Sequence, residues 1–254
     1  VESEAAAAHS ALEKIWALLL GQAPDARFER RGDLYFALFP AVPIPQCNGP
    51  WVVEDTDEAA DALGGAIAEV DAAGAQPSVQ TRSGHERTQR AAAELGLTER
   101  TVLPGMVMRP GELVSTSADG LAIDLIADEE IGTASDILAT SFGAPREMFD
   151  VFSPVCAAVE ESTWYVGRVD GEIVGTALGI TVDGVTGVFN VATAAQHRGR
   201  GHGAALTARV VEDGFAGGAE LAFLQSSEMG HGVYRRLGFR DVEEYVLLTR
   251  PALA

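Results

Sequence analysis

Two Asp-Gly dipeptides, Asp170-Gly171 and Asp183-Gly184, constrain this chain more than any other feature. Asp-Gly accepts the positive φ that a tight type I′ turn demands. The runs Thr163–Val169, Ile173–Thr181 and Val185–Thr193 are therefore expected as three antiparallel strands joined by hairpins. Helices are expected over Glu129–Ser141, His202–Gly214 and about Gly230–Leu237, with Gly238 in the left-handed position that ends a helix. Strands mixed with helices imply an α/β layer structure in which helices cover a sheet.

The same plan occurs twice. Leu95-Gly96-Leu97 and Leu237-Gly238-Phe239 each close a helical segment before a strand, at an offset of 142 residues (237 − 95). Asn48 falls on Asn190 at the same offset, each in a strand-like stretch followed by an amphipathic helix. Arg31-Gly32-Asp33 lies opposite Asp170-Gly171-Glu172 at 139, a drift that a few loop residues produce. The boundary between the two halves is expected in the polar stretch 111–120, where hydrophobic periodicity lapses.

Composition narrows the function. The chain has 254 residues, 47% hydrophobic and 22% charged, enough to bury a sizeable core. A formal charge of −19 repels phosphate backbones and anionic lipid, so nucleic acid and membrane are not expected as partners. The N-terminal residues Glu2, Glu4, Glu13 and Lys14 interrupt the apolar character that a signal peptide needs. Cys47 and Cys156 are isolated and lack metal-ligand spacing, which fits buried thiols in a reducing cytoplasm.

Chemistry concentrates between the strand ending near Thr193 and the helix beginning near His202. The loop Gln196-His197-Arg198-Gly199-Arg200-Gly201-His202-Gly203-Ala204 alternates glycines where a backbone must approach a ligand closely. The following helix presents unpaired N–H groups and a positive dipole end, which together build a pyrophosphate cradle. Arg198 and Arg200 add local positive charge in an acidic chain. A dinucleotide fingerprint would need Gly-x-Gly-x-x-Gly after a first parallel strand; these glycines alternate strictly and follow hairpins.

This loop resembles the signature Gln/Arg-x-x-Gly-x-Gly/Ala of the GNAT superfamily of N-acetyltransferases, met here by Gln196, Gly199 and Gly201. Downstream, Ser226 to Phe239 is similar to the family's second motif, in which a tyrosine, here Tyr234, precedes a Leu-Gly-Phe ending. The resemblance implies two tandem GNAT-like domains, each a mostly antiparallel sheet flanked by helices. Residues 1–115 would form a degenerate copy without the coenzyme loop, and residues 116–254 the domain that binds acetyl-coenzyme A. In the first half the glycine loop is replaced by Glu54-Asp55-Thr56-Asp57-Glu58, and Tyr234 by Ala92. Those carboxylates suit a helix start but repel a pyrophosphate.

By the same resemblance, Val191, Ala192 and Thr193 pair with the pantetheine arm, the loop amides from Gln196 to Ala204 hold the pyrophosphate, and Tyr234 meets the departing thiolate. Ser227 stands where the family usually has an asparagine that contacts the arm. Arg235, Arg236 and Arg240 either reach the adenosine phosphate or are ordinary exposed arginines near a helix end. The family often supplies a glutamate as base from the strand, but Val188–Thr193 contains no acid; a water relay or Ser227 with Glu228 are the alternatives. The histidines His197, His202 and His231 lack partners at metal-ligand spacing, so no metal is expected. Phe142, Met148, Phe149 and Phe152 either line an acceptor pocket or belong to the core. The reading is a cytoplasmic N-acetyltransferase, monomer or homodimer, acting on a primary amine of a small molecule or peptide. The alternative is a coenzyme A-binding sensor or interaction module of the same fold.

Overall fold

The computed structural model describes residues 3–251. The chain forms two compact units, one of Val1–Leu19 with Gly105–Val242, the other of Leu20–Pro104 with Glu243–Ala254. We refer to them as the site unit and the companion unit. This interleaving corrects the expected cut at residues 115 and 116. The strand Arg240–Thr249 pairs its Tyr245–Thr249 segment with Ser78–Arg82, so the end of the chain supplies a strand to the companion unit.

In the companion unit, β1 (Arg27–Arg31), β2 (Leu34–Leu38), β3 (Asn48–Val52) and β4 (Ser78–Arg82) are followed in sheet order by the end of β11 (Arg240–Thr249). The β3–β4 pair is parallel and the others are antiparallel. Helices α2 (Asp57–Ala72) and α3 (Glu86–Glu94) bury Leu63, Ile67, Val70 and Ala92 against Phe36, Val79, Val246 and Leu248. Thr56 caps α2 by accepting the Ala59 N–H at 3.1 Å. Gly49 has φ 146, and a Cβ there would overlap the Ser78 carbonyl oxygen of the neighbouring strand.

In the site unit the sheet order is β5 (Glu99–Met108), β10 (Leu221–Gln225), β9 (Val185–Thr193), β8 (Glu172–Val182), β7 (Ser162–Val169) and β6 (Ala122–Leu125). Helices α4 (Ile131–Phe142), α5 (Arg146–Ala158), α6 (His202–Ala216) and α7 (Glu228–Leu237) complete it, with most of α1 (Glu4–Gly21). The hairpins form as the Asp-Gly pairs dictate: Asp170 and Gly171 have φ 52 and 85, Asp183 and Gly184 φ 48 and 74. Gly238, at φ 108, ends α7, and Gly96, at φ 87, follows α3. Helix α7 begins two residues before the expected Gly230 because Ser227 accepts the Gly230 N–H and so caps it. Met148, Phe149 and Phe152 are buried, whereas Phe142 stays exposed and stacks on Phe149.

Both cysteines are buried, as expected. Among the described residues no helix is long and apolar enough to cross a membrane.

Two glycines of the companion unit separate close contact from mere flexibility. Gly49→Ala should destabilise the protein by about 2 kcal/mol or more, because the backbone of β3 and β4 must part. Gly65→Ala, in the interior of α2 with nothing within 4 Å of the new methyl group, should stabilise it by about 0.5–1 kcal/mol. Urea denaturation of both variants checks the opposite signs.

Candidate functional site

The site begins where two parallel strands part. β9 and β10 are paired at Val185–Leu221, Thr186–Ala222 and Gly187–Phe223, and the ladder ends there. Beyond it Leu224 and Gln225 stay paired with Met106 and Gly105 of β5, while β9 follows β8. A bulge drives the divergence. The register of β9 on β8 shifts by one residue between Leu178–Phe189 and Thr176–Ala192, so that Ala177 faces both Asn190 and Val191. Asn190 takes the left-handed conformation, φ 50, that asparagine tolerates better than most residues. One edge of β9 is thereby left without a neighbouring strand over Val188–Thr193, among the described residues.

The loop after β9 turns that edge into a cradle. Ala195–His197 form a short 3-10 turn with Gln196 exposed; Gly199 and Gly201 have φ 76 and 83, and Gly201 is the N-cap of α6. Both glycines occupy backbone conformations that a side chain would strain. A Cβ on Gly203 would stand 3.5 Å from Thr193 Oγ1 and 3.8 Å from Val191 Cγ1, so the first turn of α6 sits directly over the end of β9. Gly201 has no side chain with which to cap, so the N–H groups at the start of α6 face outward for an anion.

The two arginines of the loop take different tasks. Arg198 is engaged within the protein: its Nε donates to the Thr193 carbonyl at 3.1 Å and its Nη2 to Ser141 Oγ at 3.3 Å, tying the end of β9 to the end of α4. Arg200 is exposed and has no ion pair among the described residues, so it is the cation available to a ligand. His202, 3% exposed, carries a buried Nδ1 without a hydrogen-bond partner among the described residues, and its ring lies 6.0 Å from that of His197. Burial holds the His202 imidazole below its ordinary pKa, and the nearby charges of His197 and Arg200 add to the effect.

Tyr234 lies on α7, packed against the same core cluster as Val191 and Ala204. A Cβ on Gly230 would lie 2.8 Å from its ring, so a glycine four residues earlier on the helix lets the ring fold back along α7. Its phenol makes no hydrogen bond with another described residue, and burial pushes its pKa up to about 12. It is therefore a neutral donor. The Cys156 thiol near the other side of the bulge, 3.9 Å from Asn190 Nδ2, is also pushed up to about 12 by burial and is no nucleophile.

The structure thus brings Gly203, in the first turn of α6 with Gly201, His202 and Ala204, against Val191 and Thr193, and Tyr234 packs on the core cluster that Val191 and Ala204 also touch. Ala192 is buried and paired with Thr176. Ser227 is committed as a helix cap, with its hydroxyl proton still free to donate. Arg240 pairs with Glu4, and Arg235 lies 3.9 Å from Asp241. Sequence reasoning passed over Gly230 and the bulge at Asn190. A glycine four residues before a tyrosine on a helix was the available signal for the first; nothing local announces the second.

The depressed His202 pKa has a consequence for folding. The unfolded chain takes up a proton near pH 6.5, while the folded imidazole resists it, so this group costs stability as pH falls below about 6.5. His202→Gln should flatten the loss of stability between about pH 7.5 and about pH 5, read by urea denaturation. Equal slopes for the two proteins would mean that the folded imidazole protonates freely.

Residues 133–239 match the sequence model of the acetyltransferase (GNAT) family. No curated protein sequence matches the chain. Among solved structures, a GCN5-related N-acetyltransferase from Kribbella flavida is similar over 97% of this chain and 96% of its own, with 22% identity and a TM-score of 0.71. One from Sphaerobacter thermophilus covers 81% of this chain and 74% of its own at 20% identity, TM-score 0.61. A tandem GNAT protein of the clavulanic acid biosynthesis pathway covers 91% and 85% at 14% identity, TM-score 0.61. At such identities the likeness is one of fold. The strand parting and the glycine loop both lie within residues 133–239, the part of this chain that is similar to the acetyltransferase (GNAT) family.

Proposed function

We propose that the site unit is an acetyl-coenzyme A-dependent N-acetyltransferase acting on a primary amine of a small molecule or peptide, by direct attack in a ternary complex. The observation that carries this reading is the unpaired edge of β9 leading into an uncapped, glycine-lined helix start. The residues fit the coenzyme. Positive-φ glycines leave room for a diphosphate against the α6 amides, Arg200 offers charge, and the edge of β9 offers peptide groups to an amide-bearing arm.

When bound, acetyl-coenzyme A supplies an activated thioester carbonyl. The chain supplies the rest. Backbone N–H groups on the free edge of β9, at Val191 or beside it, offer a donor to developing negative charge on oxygen. Tyr234 offers a hydrogen bond to a departing thiolate. Against a thiol near pKa 8.5, a phenol at about 12 keeps its proton by about 5 kcal/mol, so Tyr234 stabilises charge and does not give its proton away. No carboxylate stands on Val188–Thr193, so the amine reaches the site neutral or loses its proton through water or the Ser227–Glu228 pair.

That missing carboxylate is also what favours the second reading, a coenzyme A-binding sensor without turnover. We further propose that the companion unit binds no coenzyme. Arg82 donates to the Val53 carbonyl at 2.8 Å, tying the end of β3 to β4. Asp55 accepts the Thr88 N–H at 2.8 Å and the Arg87 N–H at 3.1 Å, filling the start of α3 with a carboxylate. The protein is taken to be cytoplasmic, a monomer or homodimer, with no nucleic acid or membrane as partner.

Calorimetry with acetyl-coenzyme A tests the site. One binding event per chain is expected, abolished by Gly201→Glu, whereas no heat from the unaltered protein at millimolar coenzyme would sink the reading. In a screen of amine acceptors, Tyr234→Phe should lower kcat about 10- to 100-fold with little change in coenzyme affinity. Tight coenzyme binding without turnover of any amine would instead establish the sensor.

A further inference from the structure

Away from the coenzyme loop, the site unit holds a cleft of about 250 Å³ between the C-terminal end of α6 and the strands β7, β8 and β9. Its walls include Glu161, Thr163 and Tyr165 from β7 and the residue before it, Thr181 and Thr186 from β8 and β9, and Asp213 of α6. Gly214, which also lines it, lies 12 residues along α6 from His202, roughly 18 Å of helix. The cleft is therefore at the opposite end of that helix from the glycine loop. Its volume falls below the range of about 300–1,000 Å³ usual for drug-sized ligands, so it suits a small one.

The chemistry of the walls is one-sided. Glu161 and Asp213 line the cleft, and among the described residues no cationic side chain does. Asp213 is held in a fixed orientation, because the Tyr165 hydroxyl at 2.5 Å and Arg209 Nε at 2.7 Å both donate to its Oδ2. Its Oδ1 accepts no hydrogen bond from a described residue. Burial pushes the Asp213 carboxyl up, but the bonds from Tyr165 and Arg209 and the Arg209 charge outweigh it and hold the group below its ordinary pKa. Asp213 is thus anionic at neutral pH. Glu161 is exposed and makes no ion pair with a described residue. The end of α6 adds the negative pole of the helix dipole.

Behind the carboxylates stands a buried hydroxyl pair. Thr186 is 1% exposed, and its Oγ1 lies 2.9 Å from Thr181 Oγ1. Only one of the two hydroxyl protons can lie between these oxygens, so the pair keeps lone pairs and one proton without a partner among the described residues. The helix comes this close because Gly214 has no side chain: a Cβ there would stand 2.3 Å from Thr186 Oγ1.

We propose that this cleft is a second ligand site, for a small organic cation that carries N–H donors, of the alkylguanidinium or alkylammonium class. Glu161, Asp213 Oδ1 and the threonine hydroxyls accept its N–H groups, and Val210 meets its alkyl part. The inference does not rest on the coenzyme reading.

Ethylguanidinium is the probe, because a guanidinium keeps its charge and so cannot serve as an amine acceptor. In amide NMR spectra of the full chain, saturable shifts at Thr163, Thr181, Thr186 and residues 213–217 are expected by roughly 50 mM probe, with one site per chain. Glu161→Gln and Thr181→Val should each weaken binding about fivefold, while Gly201→Glu, at the other end of α6, leaves it unchanged. Propionamide, similar in size and uncharged, should not bind. No saturable shift at those amides, equal binding of propionamide, or unchanged affinity in either of the first two variants overturns the proposal. Loss of binding in Gly201→Glu overturns it as well, by moving the cation to the coenzyme end.

Discussion

The site unit depends on the loss of a few strand pairs. β9 and β10 run together as far as Gly187 and Phe223, and there the bulge at Asn190 turns β9 away while β10 keeps its place beside β5. An unpaired strand edge inside a sheet costs free energy unless something bonds it. The fold keeps this one because both strands are held from their far sides, β9 by β8 and β10 by β5. The gap is therefore a built slot, and it opens toward the glycine loop that starts α6.

The same succession of elements in the companion unit carries different groups at the corresponding places. There too a hairpin meander leads to a strand, a helix, a parallel strand and a second helix. Arg82 joins the strand ends, Asp55 fills the start of α3, and Ala92 is buried in the core. A small methyl group inside one core and a phenol at the margin of the other differ in what they leave available. Val246 and Leu248, from the last strand of the chain, complete the core of this unit, so neither half of the sequence taken alone contains a whole unit.

Charge is distributed to match. The chain carries 37 acidic against 18 basic residues, yet β9 carries no charged side chain over Val188–Thr193, Asn190 and the Cys156 thiol beside it are neutral, and the His202 imidazole at the start of α6 resists protonation. A low-charge slot beside one available arginine, Arg200, suits a ligand with an anionic end and an uncharged arm. The general acidity of the surface discourages larger polyanions from competing for it.

Much of this was written locally. The Asp-Gly turns fixed three strands and their pairing because two positive φ angles leave few other conformations. The alternating glycines fixed the start of α6, and Gly238 the end of α7. These features depend on neighbours within a few residues, and sequence order reports such neighbours directly. The parting of β9 from β10, the burial that raises Tyr234, and the engagement of Arg198 with Ser141 depend on segments far apart in the chain. The exchange of the last strand into the companion unit is of the same kind: the sequence determined that a strand would follow Gly238, and only the packing of Val246 and Leu248 against α2, α3 and β4 decided which core it completes.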